Sequence, residues 1–358
     1  MTKTLGFALV GCGRIAQKHA EILANGMIDN ARLVAVSDAA PERAAKMADR
    51  YKVPSFVDMH EMMRSMDAQI EVVSVLTESG NHAKHAIELS RYRKHLVVEK
   101  PMALALSDAD AMIRACDLAG IKLFVVKQNR YNRPVVKLRE AMDQGRFGKL
   151  VMGTVRVRWR RDQKYYDQDK WRGTWAMDGG VFANQASHHV DLLEWFMGEP
   201  ESVFAYSSKA LVNIETEDTG IAMVRFRNGA LGVIEATTAA RPRDLEGSIS
   251  ILGEKGTAEI GGFAVNEMKT WSFTDPHPDD ADILKNYSEN PPNVYGFGHV
   301  AYLDHVVDCV LNGSPSLVDG IEGRKSLELI TAIYESIETG REVSLRFAPK
   351  KSRLGERL

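Results

Sequence analysis

The sequence predicts an α/β protein in two parts: a doubly wound parallel sheet, then an α+β domain with an open, mostly antiparallel sheet. Three observations carry this. The chain has 358 residues, and a domain holds roughly 100–200. Up to Gly148, short β-prone runs alternate with helically spaced segments, the pattern of βαβ units with helices on both faces of a sheet. Beyond it, longer strand-like segments follow one another across short turns, and strands joined in that way pair antiparallel.

Taken in order, Leu5–Val10 is apolar and β-prone, Arg14–Ala24 is helical, Arg32–Ser37 is β-prone and Pro41–Tyr51 is helical. Val72–Leu76, Leu96–Val98 and Leu123–Val126 are further β-rich runs, with helical segments at His82–Leu89, Asp108–Leu118 and Val135–Met142. The boundary falls near Gly145–Lys149. Strands are then expected at Leu150–Arg160, Ser202–Ala210, Thr219–Phe226, Ala230–Thr238, Glu246–Leu252 and Thr257–Ile260. Arg227-Asn228-Gly229 and Gly253-Glu254-Lys255-Gly256 are turn signals between them. One helix, Phe182–Phe196, interrupts the strands, and His299–Leu311 and Gly323–Thr339 follow them. The expected division is 1–148, 149–347 and a basic tail at 348–358.

Composition narrows the function. Forty-six basic and 48 acidic side chains leave a formal charge of −2, so the basic excess of a general nucleic-acid binder is missing. No apolar stretch reaches the roughly 18 residues that a membrane helix needs. The short N-terminal apolar run passes straight into glycines with no convincing cleavage site. Cys12, Cys116 and Cys309 form neither a CxxC pair nor a disulfide framework, which fits a reducing cytoplasm. The expectation is a cytoplasmic protein with no nucleic-acid or membrane partner.

The first strand leads into Gly11-Cys12-Gly13-Arg14-Ile15-Ala16 and then a helix. This is G-x-G-x-x-A in the context a dinucleotide needs. Gly11 permits the tight turn, Gly13 lets a pyrophosphate approach the backbone, and Ala16 keeps helix and strand close. The helix N-terminus offers N–H groups and partial positive charge to the phosphates. The next strand ends at Asp38, placed to accept from both adenosine ribose hydroxyls and to repel a 2′-phosphate, which favours NAD over NADP. Arg43, close by, complicates that preference. Cys12 reads as a small residue in the turn.

Glu99-Lys100-Pro101 after the Leu96–Val98 run resembles the Gfo/Idh/MocA oxidoreductases, two-domain NAD(P)-dependent sugar and cyclitol dehydrogenases. Gln128-Asn129-Arg130-Tyr131-Asn132 and Lys170-Trp171-Arg172 resemble further segments of that family. So does Gly179-Gly180-Val181-Phe182-Ala183-Asn184-Gln185-Ala186-Ser187-His188-His189-Val190-Asp191, which matches its G-G-x-x-x-D-x-G-x-H-x-x-D helix. The resemblance spans about residues 4–347 in order. It implies cofactor contacts at Gly11, Gly13, Arg14, Ile15, Asp38, Thr77, His82, Glu99, Lys100, Gln128, Trp171 and Arg172. One departure informs: the family's common Asp is Asn184 here. Aligned on the double glycine, the family's catalytic His is His188, and His189 reads as structural. Asn184 and His188, at i and i+4, share one helix face. Asn184 does not ionise, so a literal Asp–His relay is in doubt, and a hydrogen bond to a sugar hydroxyl is expected of it.

Oxidising a secondary alcohol requires hydride transfer to the nicotinamide and loss of the hydroxyl proton. A His suits the base, and a Lys holds the developing alkoxide. Lys100 ends a parallel strand, where open α/β sheets place ligands, and His188 approaches from the second domain. The expected roles are His188 as base and Lys100 as polariser, with the swapped assignment kept open. The histidines show no HExxH pair or ligand-spaced cluster, so no metal is expected.

Asn184-Gln185-Ala186-Ser187-His188, Asn293-Val294-Tyr295-Gly296-Phe297-Gly298-His299 and Gly323-Arg324-Lys325-Ser326-Leu327 resemble a narrower subgroup, the WlbA/WbpB-type dehydrogenases of surface-polysaccharide biosynthesis. The resemblance implies NAD-dependent oxidation of C3 of UDP-N-acetylglucosaminuronic acid to the 3-keto sugar. It leaves open whether 2-oxoglutarate reoxidises the cofactor in place. Such a substrate needs cations. Arg156, Arg158 and Arg160 alternate along one strand, as a solvated or interfacial face also would; Arg241 and Arg243 lie in a turn. Asn184, Lys170, Arg172, Arg243 and Tyr295 are the expected substrate contacts. The family's habit of associating through its second sheet implies a homo-oligomer, a tetramer or a dimer. Two alternatives stand: a dehydrogenase of another sugar or a cyclitol, and a non-catalytic sugar- or NAD-sensing regulator. Retention of both Lys100 and His188 argues against the second.

Overall fold

The computed structural model describes residues 3–289, 291 and 296–345. Buried apolar runs alternate with amphipathic helices through the first half. The order is β1 (Leu5–Val10), α1 (Arg14–Ala24), β2 (Ala31–Ser37), α2 (Pro41–Tyr51), β3 (Ser55–Phe56), α3 (Met59–Ser65), β4 (Val72–Val75), α4 (His82–Ser90), β5 (His95–Val98), α5 (Leu106–Ala119) and β6 (Leu123–Val125). The six strands are parallel and lie in the order β3-β2-β1-β4-β5-β6. β1 and β4 are buried end to end, as strands covered on both faces must be. The winding reverses between them, which opens a crevice at their C-terminal ends. β3 and α3 were not expected. Two residues are too few for alternation to register, and α3 is set by a cap: the Asp58 side chain accepts from His60 N–H and Glu61 N–H.

The second half runs α6 (Arg133–Asp143), β7 (Leu150–Arg158), α7 (Gln163–Asp167), α8 (Ser187–Met197), β8 (Pro200–Ser208), β9 (Thr219–Phe226), β10 (Leu231–Thr237), β11 (Glu246–Gly253), β12 (Gly256–Gly261), β13 (Glu267–Phe273), α9 (Ile283–Asn286), α10 (Gly298–Leu311), α11 (Gly320–Thr339) and β14 (Val343–Ser344). The strand order is β13-β12-β11-β7-β10-β9-β8-β14. β7 and β10 pair parallel and every other neighbour is antiparallel. The parallel pair arises because a long crossover through α7 and α8, not a short turn, separates β7 from the β8–β10 meander. β7 alternates in burial along its second half: one face meets α8, the other is open.

Two expectations are corrected. The helix anticipated at Phe182–Phe196 is broken. Val181–Gln185 forms a π-helical turn, closed by Ala186 N–H donating to Val181 O, and α8 begins only at Ser187. His299–Leu311, expected with the second half, packs on the first: Tyr302, Leu303, Val306 and Val307 of α10 share a core with Phe7 and Leu9 of β1. α11 straddles the halves. A Cβ on its Gly323 would lie 2.4 Å from Val125 of β6, while Leu329 and Ile333 enter the second core. This clamp sets one half against the other along the cleft.

Candidate active site

The site is a cleft of about 2610 Å³ between the two sheets. Its nucleotide end is made by the β1–α1 turn. Gly11 has φ +96°, and a Cβ on it would sit 2.7 Å from Leu76 O. Only glycine fits such a close approach in that conformation. A Cβ on Gly13 would meet no protein atom within 4 Å, so space lies open before α1. α1 has no side-chain cap and no acidic residue in its first turn, which leaves its first N–H groups to an anion. The Asp38 carboxylate is pinned at the end of β2 by Cys12 N–H (2.7 Å) and Ala40 N–H (2.8 Å). Ile15, Thr77 and His82 line the same end. The His82 ring lies 2.9 Å from Thr77 O and 2.8 Å from Pro101 O, tying the loop after β4 to the loop after β5. Burial pushes its pKa down. The cradle fits a dinucleotide.

The chemical end joins three elements. Lys100 follows β5, Gln128 follows β6, and His188 lies in the first turn of α8. Lys100 Nζ donates to Asn184 O at 2.9 Å and to Asn184 Oδ1 at 3.4 Å. His188 Nε2 lies 2.9 Å from the Gln128 amide nitrogen, so it accepts and carries no proton. Burial first, then the Lys100 charge, holds His188 well below the ordinary histidine range. It is neutral near pH 7, as a base must be. Burial also lowers Lys100, against the pull of Glu99, Tyr165 and Asp178. Burial would raise Glu99, but His19, His299 and Lys100 outweigh it and bring the carboxyl to about 2. A neutral imidazole and a half-buried lysine amine thus share one cleft.

The remaining expected residues divide. Trp171 and Arg172 line the cleft. Arg172 is held by Asp169 (2.9 Å) and the Tyr165 hydroxyl (2.9 Å), and its guanidinium lies over the Trp171 and Tyr165 rings. Arg14 reaches across the cleft to Gln168, and Arg43 to Asp169 at 3.8 Å; Arg43 is therefore turned toward the second half. Arg158 and Arg160 line the cleft and Arg156 does not. Arg158 is clamped between Glu235 and Glu246, and Arg156 pairs with Glu246. Arg243 is exposed in the lining and makes no hydrogen bond or ion pair with a described residue. Lys170 is exposed and does not line the cleft. Asp169 and Trp171 line the cleft on either side of it, while the Lys170 side chain is left to solvent. Tyr295 lies outside the described residues. His189 is buried against Trp159, ring centroids 5.7 Å apart, and does not line the cleft.

Residues 5–127 match the NAD-binding Rossmann-fold domain of an oxidoreductase family, and residues 139–345 match its C-terminal alpha/beta domain. The chain belongs to the Gfo/Idh/MocA oxidoreductases. It is an NAD-dependent dehydrogenase of that family. A myo-inositol 2-dehydrogenase from Thermotoga maritima is 31% identical, over 94% of this chain and 97% of its own. The WlbA dehydrogenase from Bordetella pertussis, solved in complex with NADH and UDP-GlcNAcA, is 44% identical. It covers 97% of this chain and 99% of that one, with a TM-score of 0.92. The Chromobacterium violaceum WlbA dehydrogenase, in the same kind of complex, is also 44% identical, covers 97% of each chain and has a TM-score of 0.90.

This Gfo/Idh/MocA member carries three groupings that motif reading missed. Asp191, one turn past His188, is buried between Arg130 (2.8 Å) and Lys127. Burial opposes its charge, but those cations hold its carboxyl far below the usual range. The Arg130 fork extends to Glu322 on α11 at 3.0 Å, so one ion cluster locks the helix that presents His188. Asp191 closes one matched motif and Arg130 stands in another, but nothing in the sequence says that the two pair. The carboxylate of Asp178, just before the double glycine, accepts from Asn184 Nδ2 and Gly173 N–H. Finally, His19, Glu99 and His299 place three ligand-type atoms within 4.8 Å of one another. They are too far apart in the chain to show a ligand spacing. His19 Nε2 lies 3.4 Å from Glu99 Oε1, and Lys100 N–H donates to the other oxygen.

Proposed function

We propose that the protein oxidises the C3 hydroxyl of UDP-N-acetylglucosaminuronic acid to the 3-keto sugar, in bacterial surface-polysaccharide (O-antigen) biosynthesis. The observation that carries this reading is the 44% identity, over 97% of the chain, to WlbA dehydrogenases solved with NADH and UDP-GlcNAcA. The cleft supports it: beyond Lys100 it extends past Trp159, Arg160 and Arg161 to Arg243, whose guanidinium pairs with no described residue. A substrate carrying a carboxylate and a pyrophosphate requires such a cation.

NAD, when bound, accepts the hydride. The chain's own residues do the rest. Asp38 holds the adenosine ribose, and the first N–H groups of α1 hold the pyrophosphate. The C3 hydroxyl enters between Lys100 Nζ and His188 Nε2 and replaces the Gln128 amide as donor to that nitrogen. His188 takes the proton, and Lys100 stabilises the charge developing on oxygen. Asn184 and Arg172 orient the sugar, and Arg243 meets the phosphates. We also propose a homo-oligomer, most simply a tetramer. Tyr206, Ile221, Met223 and Leu231 are at least half exposed on the face of the second sheet turned away from α8. Apolar patches of that kind mark interaction sites.

A single-turnover absorbance assay tests the reaction. Protein with NAD⁺ and UDP-N-acetylglucosaminuronic acid is expected to give stoichiometric NADH and a 3-keto product by mass spectrometry. Adding 2-oxoglutarate then reads whether the cofactor is reoxidised in place. No NADH from protein shown to bind NAD⁺ overturns the nucleotide-sugar reading. The likeness to myo-inositol 2-dehydrogenase makes inositol the next substrate to try.

A further inference from the structure

Asp178 is 1% exposed and sits on the loop that leads into the π-helical turn. One carboxylate oxygen accepts from Gly173 N–H at 2.7 Å, and the other accepts from Asn184 Nδ2. Asn184 Oδ1 faces Lys100 Nζ at 3.4 Å, and Asn184 O lies 2.9 Å from the same nitrogen. We infer that Asp178 is a positioning residue: through the Asn184 amide it holds Lys100 as an ammonium aimed at the reacting hydroxyl. The inference rests on the reading of Lys100 as the polarising group.

An amide has a donor end and an acceptor end, while an ionised carboxylate only accepts. Asp178 therefore turns Nδ2 toward itself and Oδ1 toward Lys100. Hydrogen bonds in series polarise one another, so the carboxylate strengthens Oδ1 as an acceptor. The charge stays one side chain away from Lys100, and Asn184, which cannot ionise, passes no proton between them.

The groups that bear electrostatically on Lys100 are Glu99, Tyr165, Asp178, Arg172, His188 and His82. Of the two carboxylates, Glu99 has its oxygens engaged by His19 and by the Lys100 backbone N–H. The Asp178–Asn184 chain is the one that reaches Nζ itself. Burial pushes the Asp178 carboxyl up, while Gly173 N–H, Asn184, Arg172 and Lys100 pull it back.

The test measures Lys100 directly. Competitive acetylation of the full-length protein across pH, read by peptide mass spectrometry, gives its ionisation midpoint without any substrate. Asp178→Asn is expected to lower that midpoint by about one unit. The alkaline limb of kcat/KM should move the same way, with kcat falling more than KM changes. Adding Asn184→Asp to that variant returns a carboxylate to the chain and should restore both. Asn184→Ala, which leaves the Gly173 contact in place, should lower the midpoint as Asp178→Asn does, and serves if the Asp178 variant misfolds. An unchanged midpoint in Asp178→Asn or Asn184→Ala overturns the inference. So does a double variant no better than the single one, because the loss then belongs to the Gly173 contact. Lys100→Met separates the two layers: if it keeps its turnover, the reading of Lys100 fails, while the labelling result for Asp178 stands on its own.

Discussion

The two ends of the cleft are built by different means. The nucleotide end is mostly backbone: two glycines, the N–H groups of one helix and one carboxylate, all between β1 and the end of β2. The chemical end is side chains: Lys100, Gln128, Arg172, Asn184 and His188 come from four separate segments and two domains. The backbone end needs only a strand, a turn and a helix in sequence. The side-chain end needs α11, the Arg130–Asp191–Glu322 cluster and the π-helical turn to bring its parts within 2.9–3.4 Å, as the Lys100–Asn184 and Gln128–His188 contacts are. One end is therefore robust to domain placement and the other depends on it.

Replacing the reacting groups should separate the ends most sharply. His188→Asn or Lys100→Met is expected to lower kcat by about 10²–10⁴-fold, with NAD⁺ affinity by titration changed only a few-fold. A few-fold loss of kcat in both would break the catalytic assignment. Next comes the lock on α8. Asp191→Ala leaves Lys127 and Arg130 buried without their carboxylate, and should cost about 3–5 kcal/mol in urea unfolding.

A pH effect is expected beneath the turn that carries Asn184. Burial lifts the Glu217 carboxyl to about 7. A carboxyl raised in the folded state favours folding fully below its unfolded pKa, and that contribution disappears as pH rises through about 7. The span corresponds to about 3 kcal/mol. Glu217→Gln should flatten the stability profile between pH 5 and 8, and an unchanged slope would show that Glu217 stays charged.

The nucleotide end is probed by Gly11→Ala. Its Cβ would clash with Leu76 O in a left-handed conformation, at a cost of about 1–3 kcal/mol. Weakened NAD⁺ binding with an unshifted kcat at saturation is the expected result by titration and steady-state kinetics. The smallest effect belongs to the far end: Arg243→Ala should raise KM for the nucleotide sugar about tenfold, since one charge-assisted hydrogen bond contributes about 1.5–3 kcal/mol. An equal fall in kcat would place Arg243 at the reacting centre instead.

Legibility followed the same division. β1, the glycine turn and Asp38 were readable because a dinucleotide cradle is local: its residues are neighbours along the chain. The Lys100 and His188 positions were readable only through motif resemblance. Nothing in the composition of Glu99-Lys100-Pro101 says that a residue 84 positions away will accept from Lys100 Nζ. Lys170 shows the converse limit. It stands inside the matched Trp-Arg segment, yet the turn leaves it exposed. Alternation alone leaves the strand arginines open between substrate cations and a solvated or interfacial face; cross-strand pairing gives Arg156 and Arg158 to Glu235 and Glu246, because β10 and β11 flank β7.

By itself the sequence determined the alternation of strand and helix, the parallel first sheet, the turn that cradles a dinucleotide and the family motifs that mark the chemical residues. These are properties of local periodicity, backbone freedom and residue type. Only the tertiary structure decided the break between Asn184 and α8, the return of α10 to the first domain, the parallel seam of the second sheet and the Asp178–Asn184–Lys100 chain. Each of these depends on which groups satisfy one another across long separations. Burial makes an unpaired polar group costly, so the partner is chosen by the fold and not by the neighbouring residue.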